Sequence, residues 1–168
     1  MNKLMNQLQK AQNSSWHLWW LNFALWRMVP FNAPHGLKIT SITDETITIR
    51  AKHRRSNLNH VNGIHACLLA TLCEYVSGLS LLARLDPKQY RILLKSIGMT
   101  YHYQGKTDVE VTYTITPEWF VDEILEPLTH NPAIFRELTV EAYDVEGNHI
   151  CTGLINWQIK SWKDVRAK

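Results

Sequence analysis

Apolar and polar residues alternate with a period of two in six segments of the chain, and this pattern predicts six β-strands. The predicted strands lie at 37–42, 46–51, 91–103, 109–116, 137–145 and 149–159. Polar or glycine-containing turns separate successive partners, as at Asp44 and Glu45 between the first two. Antiparallel hairpins are therefore expected.

Helical spacing of apolar residues predicts three further elements. A capping serine, Ser14 or Ser15, precedes an aromatic stripe at helical spacing. The stripe consists of Trp16, Trp19, Trp20, Phe23 and Trp26. We expect its rings to cover an open apolar surface, with contact to a membrane or an acyl chain as the alternative. A long helix is predicted over 63–85 and a short one over 118–125.

The order of these elements is helix, two strands, one long apolar helix and four strands. An α+β fold, with an antiparallel sheet curled around the long helix, lets each half-buried strand share the same apolar partner. With 168 residues and no evident linker, the chain is expected to form one domain.

Composition excludes several classes of function. The net charge is only +3, and the single basic cluster, at 52–55, is too short for a nucleic-acid stripe. The three cysteines lack CxxC spacing, and the histidines lack metal-site spacing, so we expect no metal, no disulfide framework and a reducing cytoplasm. The apolar stretch 16–29 is too short and too interrupted to cross a membrane.

Glu74 is the most informative residue of the chain. It is the only acid between Val61 and Ala83, a stretch that also contains no lysine or arginine. Burying an ionised carboxylate without partners costs several kcal/mol, so such a group is satisfied by neighbours, held neutral or retained for chemistry.

The residues before and within the long helix form a motif. Asn59 is followed six residues later by His65, and His65 nine residues later by Glu74. This arrangement resembles the hotdog-fold acyl-coenzyme A thioesterases of the phenylacetate-pathway type, and more closely a thioesterase-like branch of that superfamily. The resemblance implies a single hotdog domain over 1–168, with a helical extension at 1–30 and the hotdog core at 35–160.

The resemblance also implies a site at the start of the long helix. Ala66 and Cys67 replace the glycine pair of the motif, but their backbone N–H groups can still polarise a thioester carbonyl at a helix N-terminus. Glu74 would activate water or attack the carbonyl itself. The serine or threonine that often assists from the partner subunit has only a weak counterpart in Ser96.

Distance along the helix predicts a homodimer. Glu74 lies about 13 Å beyond His65 at 1.5 Å per residue, so one helix cannot supply both ends of the site. The resemblance implies that two chains do, and pairing of dimers into tetramers stays open. The expected substrate is an acyl-coenzyme A or acyl-carrier thioester. No cofactor is expected, since coenzyme A is part of the substrate.

Several residues carry alternative interpretations. Arg54 and Arg55 either hold the phosphates of coenzyme A or belong to a solvated loop. His65 and Asn59 serve catalysis or merely hold the turn and the helix start. His60 and Glu74 have a spacing like that of hotdog dehydratases, so a hydratase or dehydratase is a rival. A non-catalytic acyl-binding protein on the same fold is another.

Overall fold

A six-stranded sheet and one long helix make up most of the molecule, which we describe from a computed structural model over residues 3–165. The helices are α1 (Lys3–Gln12), α2 (Ser15–Met28), α3 (Ala66–Arg84), α4 (Pro117–Phe120) and α5 (Glu126–His130), with a π-helical turn, Val121–Leu125, between the last two. The strands are β1 (Lys38–Ile42), β2 (Thr46–Ala51), β3 (Tyr90–Tyr101), β4 (Val109–Thr114), β5 (Ala133–Asp144) and β6 (His149–Ser161). The predicted order of elements is confirmed, with α1 and α5 as additional helices.

The strands form one antiparallel sheet in the order β1-β2-β4-β5-β6-β3. Helix α3 packs against strands from β2 to β6, and its Leu72, Val76 and Leu81 are fully buried. The inward residues of the strands, such as Ile49 and Ile155, complete the same core. The sheet thus curls around the helix, and the predicted hotdog architecture is confirmed.

Close packing against the sheet explains the apolar composition of α3. By length and composition α3 could cross a membrane, but 67% of its apolar window is buried in this fold. Gly78 allows the closest approach, because a Cβ there would lie 2.8 Å from the ring of Trp157 on β6. The indole N–H of Trp157 donates to the buried hydroxyl of Ser77, 3.1 Å away. Core packing therefore accounts for the sequence of α3.

Helix α2 protects one edge of the sheet. Ser14 caps it by accepting the N–H of His17. Buried Asn22 then bonds the backbone of Ile39 on β1 with both ends of its amide, donating to the carbonyl and accepting from the N–H. The indole of Trp26 donates to the carbonyl of Leu37. An exposed strand edge is a pairing hazard, and α2 covers this one.

The aromatic stripe of α2 does not cover the core as expected. The side of α2 that faces the protein is formed by Leu21, Asn22 and Leu25, whereas only Trp26 of the stripe is half-buried. The other four rings point outward and are 42 to 64% exposed. The helix is apolar on both sides, so the amide of Asn22, which pairs with the edge strand, decides which side turns inward.

Candidate active site

Glu74 lies on α3, half-buried in the wall of an apolar cleft of about 240 Å³. Opposite α3, the wall includes Met28, Val29 and Asn32 from the end of α2 and the turn after it. Burial raises the pKa of the Glu74 carboxyl above its ordinary value. Within residues 3–165 no hydrogen bond or ion pair holds this carboxylate, so it is available to a substrate or a water molecule.

His65 is the N-cap residue of α3. Its ring Nδ1 accepts a hydrogen bond from the backbone N–H of Cys67 over 3.1 Å. Nδ1 is therefore unprotonated, and the neutral ring carries its proton on Nε2. His65, Ala66 and Cys67 are all exposed. The bond also occupies the N–H of Cys67, which the sequence had suggested as an oxyanion donor, whereas the N–H of Ala66 has no acceptor among the described residues.

Asn59 holds the turn that leads into α3. Its Oδ1 accepts from the N–H groups of Val61 and Gly63, each at 3.0 Å, and Asn62 between them adopts a positive φ of 59°. The carbonyl of Gly63 accepts in return from the N–H of Asn59. These bonds shape the backbone before the helix. In this chain Asn59 positions the start of the helix, and it does not line the cleft around Glu74.

The two ends of the motif lie in different clefts of one chain. His65 and Cys67 line a second cleft of about 290 Å³, together with Phe31, Ser56 and Thr71. Phe31 faces this cleft, whereas its neighbour Asn32 lines the cleft of Glu74. The structure therefore places His65 and Cys67 in one cleft at the helix start, keeps Asn59 in the turn before it, and leaves Glu74 in the other cleft.

Arg54 and Arg55 have different environments, although both are exposed. The guanidinium of Arg54 donates to the carbonyl of Pro34 and packs against Gly36, which has a positive φ of 60°. Arg54 thus supports a turn. The side chain of Arg55 has no ion pair or hydrogen bond among the described residues, so its charge is free for a ligand.

Two weaker candidates lie away from the cleft of Glu74. Ser96 pairs with Asn156, on the opposite side of the sheet from Trp157, and so does not face α3 in its own chain. His60 is exposed in the turn before α3. The chain alone therefore does not bring His60 to Glu74.

Three residues that hold the segment before α3 and its first residue in place were not predicted from the sequence. The side-chain amide of buried Asn57 donates to the backbone carbonyls of His35 and Lys52. The backbone carbonyl of Asn57 accepts from the N–H of His65. The hydroxyl of Tyr101 on β3 donates to the carbonyl of Ala66, and Gln104 donates to that of Val61. An asparagine in a loop or a tyrosine on a strand carries no local signal for these long-range contacts.

The carboxylate of Glu74 and the free N–H of Ala66 can support acid–base chemistry. Within residues 3–165, no cluster of three His, Cys, Asp or Glu side chains could hold a metal ion. A carboxylate with a raised pKa in an apolar cleft suits proton transfer. A free helix N–H suits an oxygen that develops negative charge.

Many solved structures share this fold, and the three that follow are at most 18% identical in sequence to this chain. A Pseudomonas aeruginosa protein of unknown function, described as a probable thioesterase, is 18% identical with a TM-score of 0.74, over 81% of this chain and 90% of that one. A thioesterase from Haemophilus influenzae is 11% identical with a TM-score of 0.63, over 96% and 92%. A protein of unknown function from Chlorobaculum tepidum is 12% identical with a TM-score of 0.71, over 89% and 98%.

These similarities establish the fold, since identities in this range do not carry an activity. No curated protein matches the chain. A family profile matches residues 18–159, which include most of α2, the whole sheet up to Ile159 and the central helix. The chain therefore belongs to the family described as a domain of unknown function, DUF4442.

Proposed function

We propose that the protein hydrolyses acyl thioesters and that Glu74 is its catalytic carboxylate. The observation that carries the proposal is the position of Glu74, an unpaired carboxylate with a burial-raised pKa in an apolar cleft. Such a cleft suits an acyl chain, and such a carboxylate suits a general base or a nucleophile. The descriptions of the Pseudomonas aeruginosa and Haemophilus influenzae proteins as thioesterases support the same class of reaction.

The reaction follows from these groups. As a base, the Glu74 carboxylate takes a proton from water while the water oxygen forms a bond to the thioester carbonyl carbon. The carbonyl oxygen becomes an oxyanion, which the N–H of Ala66 from a second copy of the chain stabilises. When the oxyanion collapses, the carbon–sulfur bond breaks, and the leaving thiolate takes up the proton that Glu74 had accepted from water, which restores the carboxylate. If Glu74 attacks directly, an acyl anhydride forms first and water then hydrolyses it.

A homodimer is part of the proposal. Strand β3 is the uncovered edge of the sheet and is twelve residues long. Leu94, Ile97 and Tyr101 lie on its helix side and remain 37 to 46% exposed. Pairing of β3 with a second copy would bury these side chains and remove the free edge. It would also let the Glu74 of one chain meet the helix start of the other.

The substrate is expected to be an acyl-coenzyme A or an acyl-carrier thioester. Arg55 lies in the short helical turn Arg55–Asn57 before α3, and we propose that this cation contacts a nucleotide phosphate of the substrate. The phenylacetate-pathway type of catalysis remains the finer hypothesis, suggested by the spacing of Asn59, His65 and Glu74. We place the activity in a reducing cytoplasm, consistent with three free cysteines.

Thiol release from acyl-coenzyme A thioesters of graded chain length tests the proposal. We expect turnover of at least one thioester by the wild type. Glu74→Gln should still bind that thioester but lose at least about 100-fold in kcat, the scale of general-base catalysis. Gel filtration with light scattering should give twice the chain mass, and a fully active monomer would contradict the shared site.

Other results would assign other functions. Binding of acyl-coenzyme A without thiol release from any substrate would identify a non-catalytic acyl-binding protein. Hydration of an enoyl thioester, lost equally in His60→Ala and Glu74→Gln, would identify a hydratase. Under the hydrolase proposal, His60→Ala should keep most of its thiol-releasing activity.

A further inference from the structure

The outward side of α2 carries a cluster of exposed aromatic rings, which we call the aromatic face. It consists of Trp16, Trp19, Trp20 and Phe23, exposed by 64, 55, 46 and 42%. Trp16 stacks on Trp19 with ring centroids 5.7 Å apart, and Trp19 stacks on Phe23 at 6.0 Å. The rings thus contact one another and leave the outer surface of the cluster in water. An apolar patch of this kind on a protein surface marks an interaction site.

The three tryptophans of the aromatic face also keep free donors. Elsewhere, Trp26, Trp157 and Trp162 each donate the indole N–H to an oxygen of the protein. Within residues 3–165, the indole N–H groups of the aromatic face have no acceptor. Rings with an apolar body and an unsatisfied N–H suit the boundary between acyl chains and headgroups, where tryptophan is enriched.

The segment of the chain that carries the aromatic face contains cations and no acids. Residues 1–43 contain four lysines and arginines and no aspartate or glutamate, although the whole chain has 15 acids. Arg27 is exposed and follows Phe23 by one helical turn, so it extends the aromatic face. Lys38 lines a cleft of about 530 Å³ beside Trp19 and Phe23. The same cleft is also lined by Arg50, whose guanidinium pairs with Glu110 over 2.7 Å, so Arg27 and Lys38 carry the unpaired positive charge of this surface. These two cations are complementary to anionic lipid headgroups.

We propose that the aromatic face, with Arg27 and Lys38, docks the protein onto the surface of an anionic phospholipid bilayer. The rings would enter the headgroup region while the two cations contact lipid phosphates. Met28 and Val29, at the end of the same helix, are exposed and also line the cleft of Glu74. Docking would therefore hold that cleft near the membrane surface. The inference does not depend on thioester hydrolysis.

Vesicle flotation with the full chain tests the inference. We expect the wild type to float with vesicles of phosphatidylcholine and phosphatidylglycerol, less with phosphatidylcholine alone, and less at high salt. Trp16→Ala with Trp20→Ala should lower the partition coefficient at least about tenfold, since each ring would lose apolar burial. The matched control, Tyr103→Ala with Phe135→Ala, removes two exposed rings from β-sheet regions and should float like the wild type.

The charge contribution has its own variant. Arg27→Gln with Lys38→Gln should weaken flotation with mixed vesicles and leave binding to pure phosphatidylcholine unchanged. Brominated lipids should quench the fluorescence of the wild type more strongly than that of the Trp16, Trp20 double variant, which keeps Trp19 but binds more weakly. Far-ultraviolet circular dichroism and thermal melting check that each variant is folded.

Three results would overturn the inference. The first is a wild type that floats with neither kind of vesicle. The second is a Trp16, Trp20 double variant that floats as well as the wild type. In the third, the wild type does not bind vesicles, and the double variant differs from it in oligomeric mass by sedimentation. That result would assign the aromatic face to contact between copies of the chain.

Discussion

The ring of His65 accepts the backbone N–H of Cys67 over 3.1 Å and so caps the helix that carries Glu74. His65 thus occupies the N–H of Cys67, which the sequence had suggested as a hydrogen-bond donor to the oxyanion of the reacting thioester. The N–H of Ala66 remains as the free donor at this helix start. The cap suggests that His65 acts by holding the helix start and not by acid–base chemistry.

Substitutions at His65 separate a cap from a catalytic group. His65→Ala should lower the free energy of unfolding by about 1 kcal/mol, the usual loss on removing a cap. His65→Ser can accept the same N–H and should restore most of that stability. If the ring only caps, His65→Ser should also keep kcat within about threefold of the wild type. A stable but inactive His65→Ser would place the imidazole in the chemistry.

The raised pKa of Glu74 should make both the activity and the stability of the protein depend on pH. Because burial raises its pKa, the folded protein holds the proton more tightly than the unfolded chain. The free energy of unfolding therefore falls as pH rises from the ordinary carboxyl range through the raised pKa. Glu74→Gln removes this loss, so its Tm should exceed that of the wild type above the raised pKa.

The pH dependence of activity checks the same group. The ionised carboxylate is the reactive form, so kcat/KM of the wild type should fall as pH drops through the raised pKa of Glu74. That limb should lie above the ordinary carboxyl range and be absent from the residual activity of Glu74→Gln. Parallel melting curves of the two proteins at every pH would show that the carboxyl of Glu74 is not perturbed.

Arg54 and Arg55 form a matched pair for the phosphate contact. Arg55→Ala should raise KM for acyl-coenzyme A with little change in kcat, since a phosphate contact far from the reacting bond is equal in the ground and transition states. Arg54→Ala should act mainly on stability, because its guanidinium supports the turn at Pro34 and Gly36. Steady-state kinetics with thermal melting measures both. An unchanged KM in the double variant would assign both residues to solvent.

The three cysteines should differ sharply in reactivity. Cys67 is exposed, whereas Cys73 and Cys151 are fully buried. A hydrogen bond with the thiol of Cys151, together with burial, raises the pKa of the Cys73 thiol. One thiol per chain should therefore react with a thiol reagent in the native state, and three after denaturation. Cys67→Ser should abolish the native reaction, and acyl-coenzyme A should slow it in the wild type. Rapid reaction of two or more native thiols would contradict this packing.

Local pattern determined most elements of the fold. The strand Thr46–Ala51 was predicted with its observed bounds, and α3 within a few residues at each end. The alternation of strands and the periodicity of helices depend only on residues close together in the sequence, so the sequence alone predicts these elements. The Asn59, His65 and Glu74 spacing likewise led to the hotdog fold. The turn at Asn59 and the cap at His65 are local too, and both had been kept open as alternatives.

Tertiary structure decided the orientation of helices and the surroundings of the site. Periodicity placed the tryptophans of α2 on one side but did not reveal that this side faces outward, because the opposite side is apolar as well. The pairing of Asn22 with β1 selects the inward side, and it joins residues 17 positions apart. Similarly, the cleft of Glu74 is built from α2, α3 and the sheet. The sequence by itself thus determined which elements form and where a carboxylate lies, whereas contacts between distant segments decided what surrounds it.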